Sequence, residues 1–310
     1  MKEIIFLNPV FKEMIWGGNK LKTDFGYDIP GDRTGECWAI AAHKNGDSTV
    51  ADGKFCGYTL SKLWNEHREL FGNLEGDVFP LLIKIIDAKD DLSIQVHPDD
   101  EYAKINENGS LGKTECWYIL DCDEGADIIV GHNAKSSEEL NHMVSGGDWN
   151  GLLRKIPIKK GDFFQIDPGC LHAIRKGTVI LETQQNSDIT YRVYDYDRLS
   201  DGKPRELHTK KALDVITAPA KDTLVDIETE KGEGFIREKL YECKYYSVER
   251  IVLNGTLSIN QKYNFMNVSV VSGEGEIDGK KIKKGSHFIL PCGYGEAEFS
   301  GNAELIISYI

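Results

Sequence analysis

KKGDFFQIDPGCLHAI, residues 159–174, and KKGSHFILPCGYGEAE, residues 283–298, share one layout. In each, a Lys-Lys-Gly turn leads into a short apolar strand, a turn built from proline or glycine follows, and a polar residue comes next. Gly161, Gly169 and His172 correspond to Gly285, Gly293 and Glu296, each 124 residues further along. Glycine at both turn positions supplies backbone dihedrals that other residues avoid. Such turns recur by chance in β proteins, and a single aligned segment is slender proof of duplication. The constant spacing nevertheless predicts two strand-turn-strand units built alike.

Around these stretches, strand-like alternation dominates. It is clearest at residues 79–88, 115–122, 126–132, 178–185 and 266–277. Helical patterns interrupt it at 59–72, which starts on a threonine and stops on a glycine, and at 136–156, which reads as one or two short helices. Many short strands separated by Gly and Asp turns predict a mainly β chain, a sandwich or barrel with the helices as insertions. The layout of residues 159–174 resembles the second conserved motif of the cupin superfamily, a jelly-roll barrel that often holds a metal. That resemblance implies two cupin-like jelly-roll barrels with helical insertions, divided near residue 220 into 1–220 and 221–310, with the N-terminal strands free to pair with either. Residues 221–310 have Glu296 where the histidine would stand and no upstream ligands, so this unit is expected to bind no metal.

At 310 residues the chain can build two cores and a protected site. No apolar run approaches the ~18–20 residues that cross a bilayer, and the first residues carry Glu3 and Glu13 without a small-residue cleavage pattern, so neither a membrane span nor a secretion signal is expected. Seven cysteines without a CxxC pair point to reduced thiols and a cytoplasmic setting. A net charge of −13 opposes nucleic acid as a partner. An anionic ligand would need a local group of Lys and Arg.

The stretch LSIQVHPDDEYA, residues 92–103, places Gln95 and His97 two apart in a strand-like run. Both look to one face, with Ile94 and Val96 on the other. Alternating polar residues usually face water, and a lone histidine is more often a hydrogen-bonded filler than a ligand. His172 and Glu115, in GKTECWYIL, change that balance. Two imidazoles, one carboxylate and one amide oxygen suit a borderline divalent ion with room for water or substrate, a catalytic rather than a structural pattern. LETQQNSDITYRVYDYDR, residues 181–198, adds a polar loop with Asp188 and Arg192 four apart. Arginine is a fixed planar donor for phosphate or an enediolate oxygen, although a surface ion pair with Asp188 would contribute little.

Together SIQVHPDDEYA, GKTECWY, PGCLHAI and QQNSDITYRVYDYDR resemble the type I mannose-6-phosphate isomerases in their short bacterial form, and WGGNKL and GECWAIAAH extend the likeness over most of residues 1–220. The resemblance implies one zinc ion per chain, held by Gln95, His97, Glu115 and His172. It places the active-site lysine on Lys113 and the arginine on Arg192, adds Asp188 as a catalytic candidate, and sets Ser93, Lys113 and Arg192 against the substrate, a small phosphosugar. Thr114 stands where longer members have proline, which leaves Lys113 and Glu115 in register. The implied reaction interconverts mannose 6-phosphate and fructose 6-phosphate through an enediol; Lys113, Glu115, a zinc-bound water and Asp188 all stand as candidates for the base. A metal-dependent cupin oxygenase, which normally uses three histidines and one glutamate, and a non-catalytic sugar-binding cupin are the alternatives. The oligomeric state is left open, with a monomer compatible.

Overall fold

The computed structural model describes residues 2–200 and 202–310. The strands expected from alternation are present as Leu81–Ala88, Glu115–Cys122, Asp127–His132, Thr178–Gln185 and Phe265–Ile277. Thr59 caps helix Leu60–Glu66 by accepting a hydrogen bond from the Lys62 amide, and Gly72, at φ 66°, closes the 3₁₀ turn Arg68–Phe71. The 136–156 segment forms helices Ser137–Gly146 and Trp149–Leu152, but its last residues depart from the helical reading. Leu153–Pro157 is a strand, because it pairs antiparallel with Asp127–His132 and the ladder overrides local propensity.

The chain is mainly β, with its strands in open sheets rather than closed barrels. A six-stranded sheet runs in the order Phe163–Ile166, Glu115–Cys122, Thr178–Gln185, Leu81–Ala88, Thr34–Ile40 and Val10–Glu13. A five-stranded sheet runs Leu153–Pro157, Asp127–His132, His172–Ala173, Ile94–Val96 and Tyr191–Tyr194. The nine-stranded sheet is formed by residues beyond 227 together with Ile5–Asn8 and Thr49–Val50 from the N-terminal part. Ile5–Asn8 pairs with His287–Pro291.

Strands Leu81–Ala88 and Thr178–Gln185 are buried along their whole length, which requires both faces of the six-stranded sheet to be covered. On one face Leu81, Ile83, Ile85, Cys116, Tyr118, Val179 and Leu181 pack in a core with Leu240, Val248, Phe265 and Ile306 of the nine-stranded sheet and with Tyr246 in the turn beside it. On the other, Ile86, Trp117, Ile119 and Ile180 pack with Ile128 and Ile174 from the side of the five-stranded sheet. The same alternation that sends these residues apart sends Lys84, Glu115 and Glu182 into the space between the six- and five-stranded sheets.

The repeated turn layout is conformational as well as sequential. Gly161 and Gly285 have φ of 90° and 88°, Gly169 and Gly293 of 83° and 70°. At Gly169 a Cβ would stand 2.6 Å from Thr217 Oγ1 and 2.8 Å from the Val215 carbonyl oxygen, so that turn needs glycine for space as well as for dihedral.

Candidate active site

Strand pairing brings the site together from both sheets. His172 lies directly opposite Gln95, and Gln95 opposite Arg192, in the five-stranded sheet; Ile94 and Val96 turn to the other side, into an apolar core. His97 follows the end of its strand, and Glu115 begins the facing strand of the six-stranded sheet. His97, Glu115 and His172 are fully buried, with one candidate ligand atom from each within 4.8 Å of the others. Glu115 Oε2 is 3.5 Å from His97 Nε2, and Oε1 is 3.5 Å from His172 Nε2.

The imidazole tautomers follow from their outer partners. His97 Nδ1 meets the Ile189 carbonyl at 2.7 Å and His172 Nδ1 meets the Cys170 carbonyl at 2.8 Å. A carbonyl only accepts, so each Nδ1 carries the proton and each Nε2 presents a lone pair toward Glu115. Burial holds both rings neutral: it lowers His172 to about 4 and, with the Lys113 charge, takes His97 well below its ordinary value. Gln95 places its amide nitrogen 3.5 Å from His172 Nε2, and rotating the amide brings its oxygen there.

Behind these groups lies a buried ladder of charge. Lys113 Nζ is 2.5 Å from Glu115 Oε2, 3.2 Å from His97 Nε2 and 3.8 Å from Glu182 Oε2. Glu182 sits directly across from both Lys84 and Trp117 in the sheet, accepts from Trp117 Nε1 at 3.2 Å, and is 3.4 Å from Lys84 Nζ. Lys84 continues to Glu36 at 3.7 Å, which accepts from Trp38 Nε1 at 2.6 Å. Burial pushes the Glu182 carboxyl up, but Lys113 and Lys84 outweigh it and hold it below the carboxylate range. Glu115 is raised, by burial and then by the Glu182 charge. Burial opposes the Lys84 ammonium, yet Glu36, Glu182 and Glu115 raise it.

The donor set fits a divalent cation. Both Glu115 oxygens are buried; Oε2 is met by the Lys113 ammonium, and Oε1 has no hydrogen-bond donor. Leaving such a group unsatisfied costs about 1–3 kcal/mol or more. Three carboxylates, Glu36, Glu115 and Glu182, face two ammonium groups, Lys84 and Lys113, so a dication adds charge where the ladder is short of it. Among the described residues this is the one group of three or more His, Cys, Asp or Glu able to hold a metal. Glu296, in the C-terminal unit, is exposed and accepts from Ser258 Oγ at 2.7 Å.

Of the residues singled out in the sequence, Ser93 and Arg192 join the cluster through Gln95. Arg192 Nε donates to Ser93 Oγ at 3.3 Å, and Ser93 Oγ donates to Gln95 Oε1 at 3.3 Å. Asp188 turns elsewhere: it is exposed, 3.5 Å from His43 Nε2, and accepts from Asn45 Nδ2 at 2.5 Å. Lys84, Glu182 and Glu36 were not singled out. Their signal is a charged residue directly beside a short apolar run, as Lys84 in FPLLIKIIDA and Glu182 in TVILETQQ.

A family model for the phosphomannose isomerase type I catalytic domain matches residues 4–124, and one for the mannose-6-phosphate isomerase cupin domain matches residues 237–310. The mannose-6-phosphate isomerase ManA of Bacillus subtilis is 54% identical over 313 residues, 99% of either chain. The chain belongs to the type I phosphomannose isomerase family. The mannose-6-phosphate isomerase of Streptococcus mutans is 48% identical over 316 residues, 100% of this chain and 99% of that one. The crystal structure of the B. subtilis mannose 6-phosphate isomerase superposes with a TM-score of 0.97 over 99% of both chains. A putative mannosephosphate isomerase from Archaeoglobus fulgidus shares the fold at 20% identity, with a TM-score of 0.77 over 99% of this chain and 97% of that one. As a member of this family the chain is an isomerase, and its buried cluster is a place where the family's metal could sit.

Proposed function

We propose that the chain interconverts mannose 6-phosphate and fructose 6-phosphate through an enediol, with one zinc ion as cofactor. The observation that carries this reading is the buried Glu115 carboxylate, set 3.5 Å from each of two histidine Nε2 atoms whose lone pairs face it, with no donor to its Oε1. His97, His172, Glu115 and the Gln95 amide oxygen would hold the ion, a donor set that suits zinc and leaves positions for sugar oxygens. When bound, zinc supplies Lewis-acid stabilisation of charge on the carbonyl oxygen.

The chain's own side chains do the rest. Isomerisation removes a proton from one of carbons 1 and 2 and returns one to the other. Lys113, an ammonium between His97, Glu115 and Glu182, is within reach of the metal-binding groups and is assigned proton donation to the sugar oxygen as the enediol forms. Glu182 and Lys84 hold Lys113 and Glu115 in place from behind. Arg192 brings a fixed positive charge on the Ser93 side, toward the oxygens on which the enediol gathers charge. Asp188, on the rim with His43, is open to solvent and suits proton exchange there rather than within the buried cluster. We assign the catalytic unit to residues 1–220 and a metal-free supporting unit to 221–310, with Ile5–Asn8 lent to the latter's sheet. Seven free cysteines favour a cytoplasmic enzyme. A cupin oxygenase or a sugar-binding cupin would share the fold but not this family.

A coupled assay tests the reading. Zinc-loaded protein should form fructose 6-phosphate from mannose 6-phosphate, lose that activity on chelation and regain it with zinc. His97→Ala and His172→Ala should each lose both turnover and the bound ion, about one per wild-type chain by elemental analysis. A loaded wild-type protein that forms no fructose 6-phosphate ends the proposal.

A further inference from the structure

In a chain of net charge −13, the segment after strand Tyr191–Tyr194 sets two guanidinium groups on one buried carboxylate. Asp195, 4% exposed, is shared by two guanidinium groups. Its Oδ1 accepts from Arg198 Nη2 and from Arg205 Nη2, both at 2.5 Å, and its Oδ2 accepts from Arg205 Nε at 2.7 Å. Arg198 also donates from Nη1 to the Asp91 carbonyl at 2.5 Å and from Nε to the Asp195 carbonyl at 3.2 Å. The arm that carries Arg205 then reaches Arg192. Arg192 Nη1 donates to the Glu206 carbonyl at 2.9 Å, its backbone N–H meets His208 Nδ1 at 3.2 Å, and the His208 N–H donates to the Arg192 carbonyl at 2.7 Å. Three guanidinium groups, Arg192, Arg198 and Arg205, thus gather around one buried carboxylate, Asp195, while the Asp197 carboxylate on the same turn is exposed. The Glu206 carboxylate, 83% exposed and 3.9 Å from His208, offsets the guanidinium groups only through solvent.

The turn that makes this arrangement is strained. Tyr196 and Asp197 have φ of 57° and 55°, and the Arg198 N–H donates back to the Asp195 carbonyl at 3.1 Å. Two consecutive residues in the left-handed region are the requirement of a type I′ turn, which favours Asn-Gly. With Tyr-Asp in those places the turn is held against local preference. The surroundings hold it there: the Tyr196 ring lies 5.0 Å from that of Tyr194, and the Arg198 guanidinium lies over Tyr196 at 5.1 Å. Strain kept beside Arg192 and Ser93 marks this turn as more than a connection.

We propose that Asp195 is a positioning residue, which holds Arg198 and Arg205 so that the turn and the 202–208 arm stand fixed beside Arg192 and form the seat of the substrate's phosphate dianion. The inference rests on the mannose 6-phosphate reading above. Arg205 spends Nε and Nη2 on the Asp195 fork, which leaves Nη1 outside it. A planar fork held on one edge presents its other edge in a fixed direction, as bidentate phosphate recognition requires.

Charge and position make opposite predictions for Asp195→Asn. The variant removes a negative charge, so electrostatics alone would tighten phosphate binding and lower the Michaelis constant. Positioning predicts the reverse: the Michaelis constant for mannose 6-phosphate rises roughly tenfold, the worth of one lost charge-assisted hydrogen bond, while turnover changes less than about twofold. Asp195→Glu, which keeps the carboxylate, should restore part of the loss. Calorimetry of inorganic phosphate binding to the zinc-loaded protein should show the same rise in Kd, and this arm does not depend on isomerase turnover. A wild type that binds phosphate but makes no fructose 6-phosphate would count against the function and leave this inference to the calorimetry. An unchanged or lowered Michaelis constant and Kd in Asp195→Asn overturns it. Should that variant fail to fold, Arg205→Gln and Arg205→Lys decide: both should weaken phosphate binding, and full recovery by lysine, which keeps the charge without the fork, overturns the inference equally.

Discussion

Arg192 joins two hydrogen-bonded systems, the Ser93–Gln95 side of the candidate metal site and the arm that ends at His208. Its position between them separates two roles that a kinetic experiment can tell apart. If the guanidinium offsets charge that develops on the enediol, Arg192→Ala should lower turnover by roughly 100-fold or more and alter the Michaelis constant much less. Arg192→Lys keeps the charge without the planar fork and should recover part of the rate. The phosphate dianion is the same in ground and transition states, so a pure clamp would give a raised Michaelis constant with wild-type turnover. Steady-state kinetics of the two variants would then assign Arg192 to binding alone. At the neighbouring Asp195 the expected pattern is the opposite one, which keeps the two residues distinguishable.

At the scale of elements, the second Lys-Lys-Gly turn is tied to Tyr27 through one histidine. His287 opens strand His287–Pro291, is buried, and meets Tyr27 Oη with Nε2 at 2.7 Å and Ser269 Oγ with Nδ1 at 2.9 Å. Tyr27 Oη also donates to the Gly285 carbonyl at 3.1 Å, so it accepts from Nε2–H, and Ser269 donates to Nδ1. Burial opposes a second proton on the ring and pushes its pKa down to about 3. The unfolded chain takes up that proton near the ordinary value of 6.5, whereas the folded chain does not until about 3. This histidine's contribution is therefore present above about pH 6.5 and is lost as pH falls. Between pH 7.5 and 5 the wild type should lose about 2 kcal/mol more than His287→Gln. Denaturant titrations of both proteins at the two pH values give the comparison, and equal losses would mean that His287 is not held neutral by the fold.

For the whole molecule, the nine-stranded sheet serves as a cover for the outer face of the six-stranded sheet whose inner face carries the site. Phe265 is central to that contact. It is fully buried, with ring centroids 4.9 Å from Phe79 and 5.9 Å from Phe71, and Trp64 closes the group at 5.6 Å from Phe79 and 5.5 Å from Phe71. Phe265→Ala should cost about 3–5 kcal/mol by transfer and cavity terms, read from denaturant unfolding. The folded fraction should keep its Michaelis constant, because the cavity opens on the side of the sheet away from Glu115 and Glu182. A changed Michaelis constant at full folding would show that the sheet transmits packing from its outer face to its inner one.

Much of this architecture was legible in the chain by itself. Period-two alternation gave Glu115–Cys122 and Thr178–Gln185 to the residue, and Thr59 and Gly72 marked their helical segment, because these signals depend on neighbours a few residues away. The Gln95–His97 spacing was readable for the same reason, whereas Glu115 and His172 were joined to it by a family's motifs rather than by local pattern. What needed the tertiary structure was every decision made between distant strands. Leu153–Pro157 became a strand only by finding Asp127–His132, and Ile5–Asn8 left the first unit to pair with His287–Pro291. Lys84 and Glu182 reveal a shared site only once registered across from each other, and Asp188 turns toward His43 instead of the buried cluster. A local pattern states which face of a strand is apolar, but which strand lies opposite is decided by the burial of both faces at once, and that depends on the whole chain.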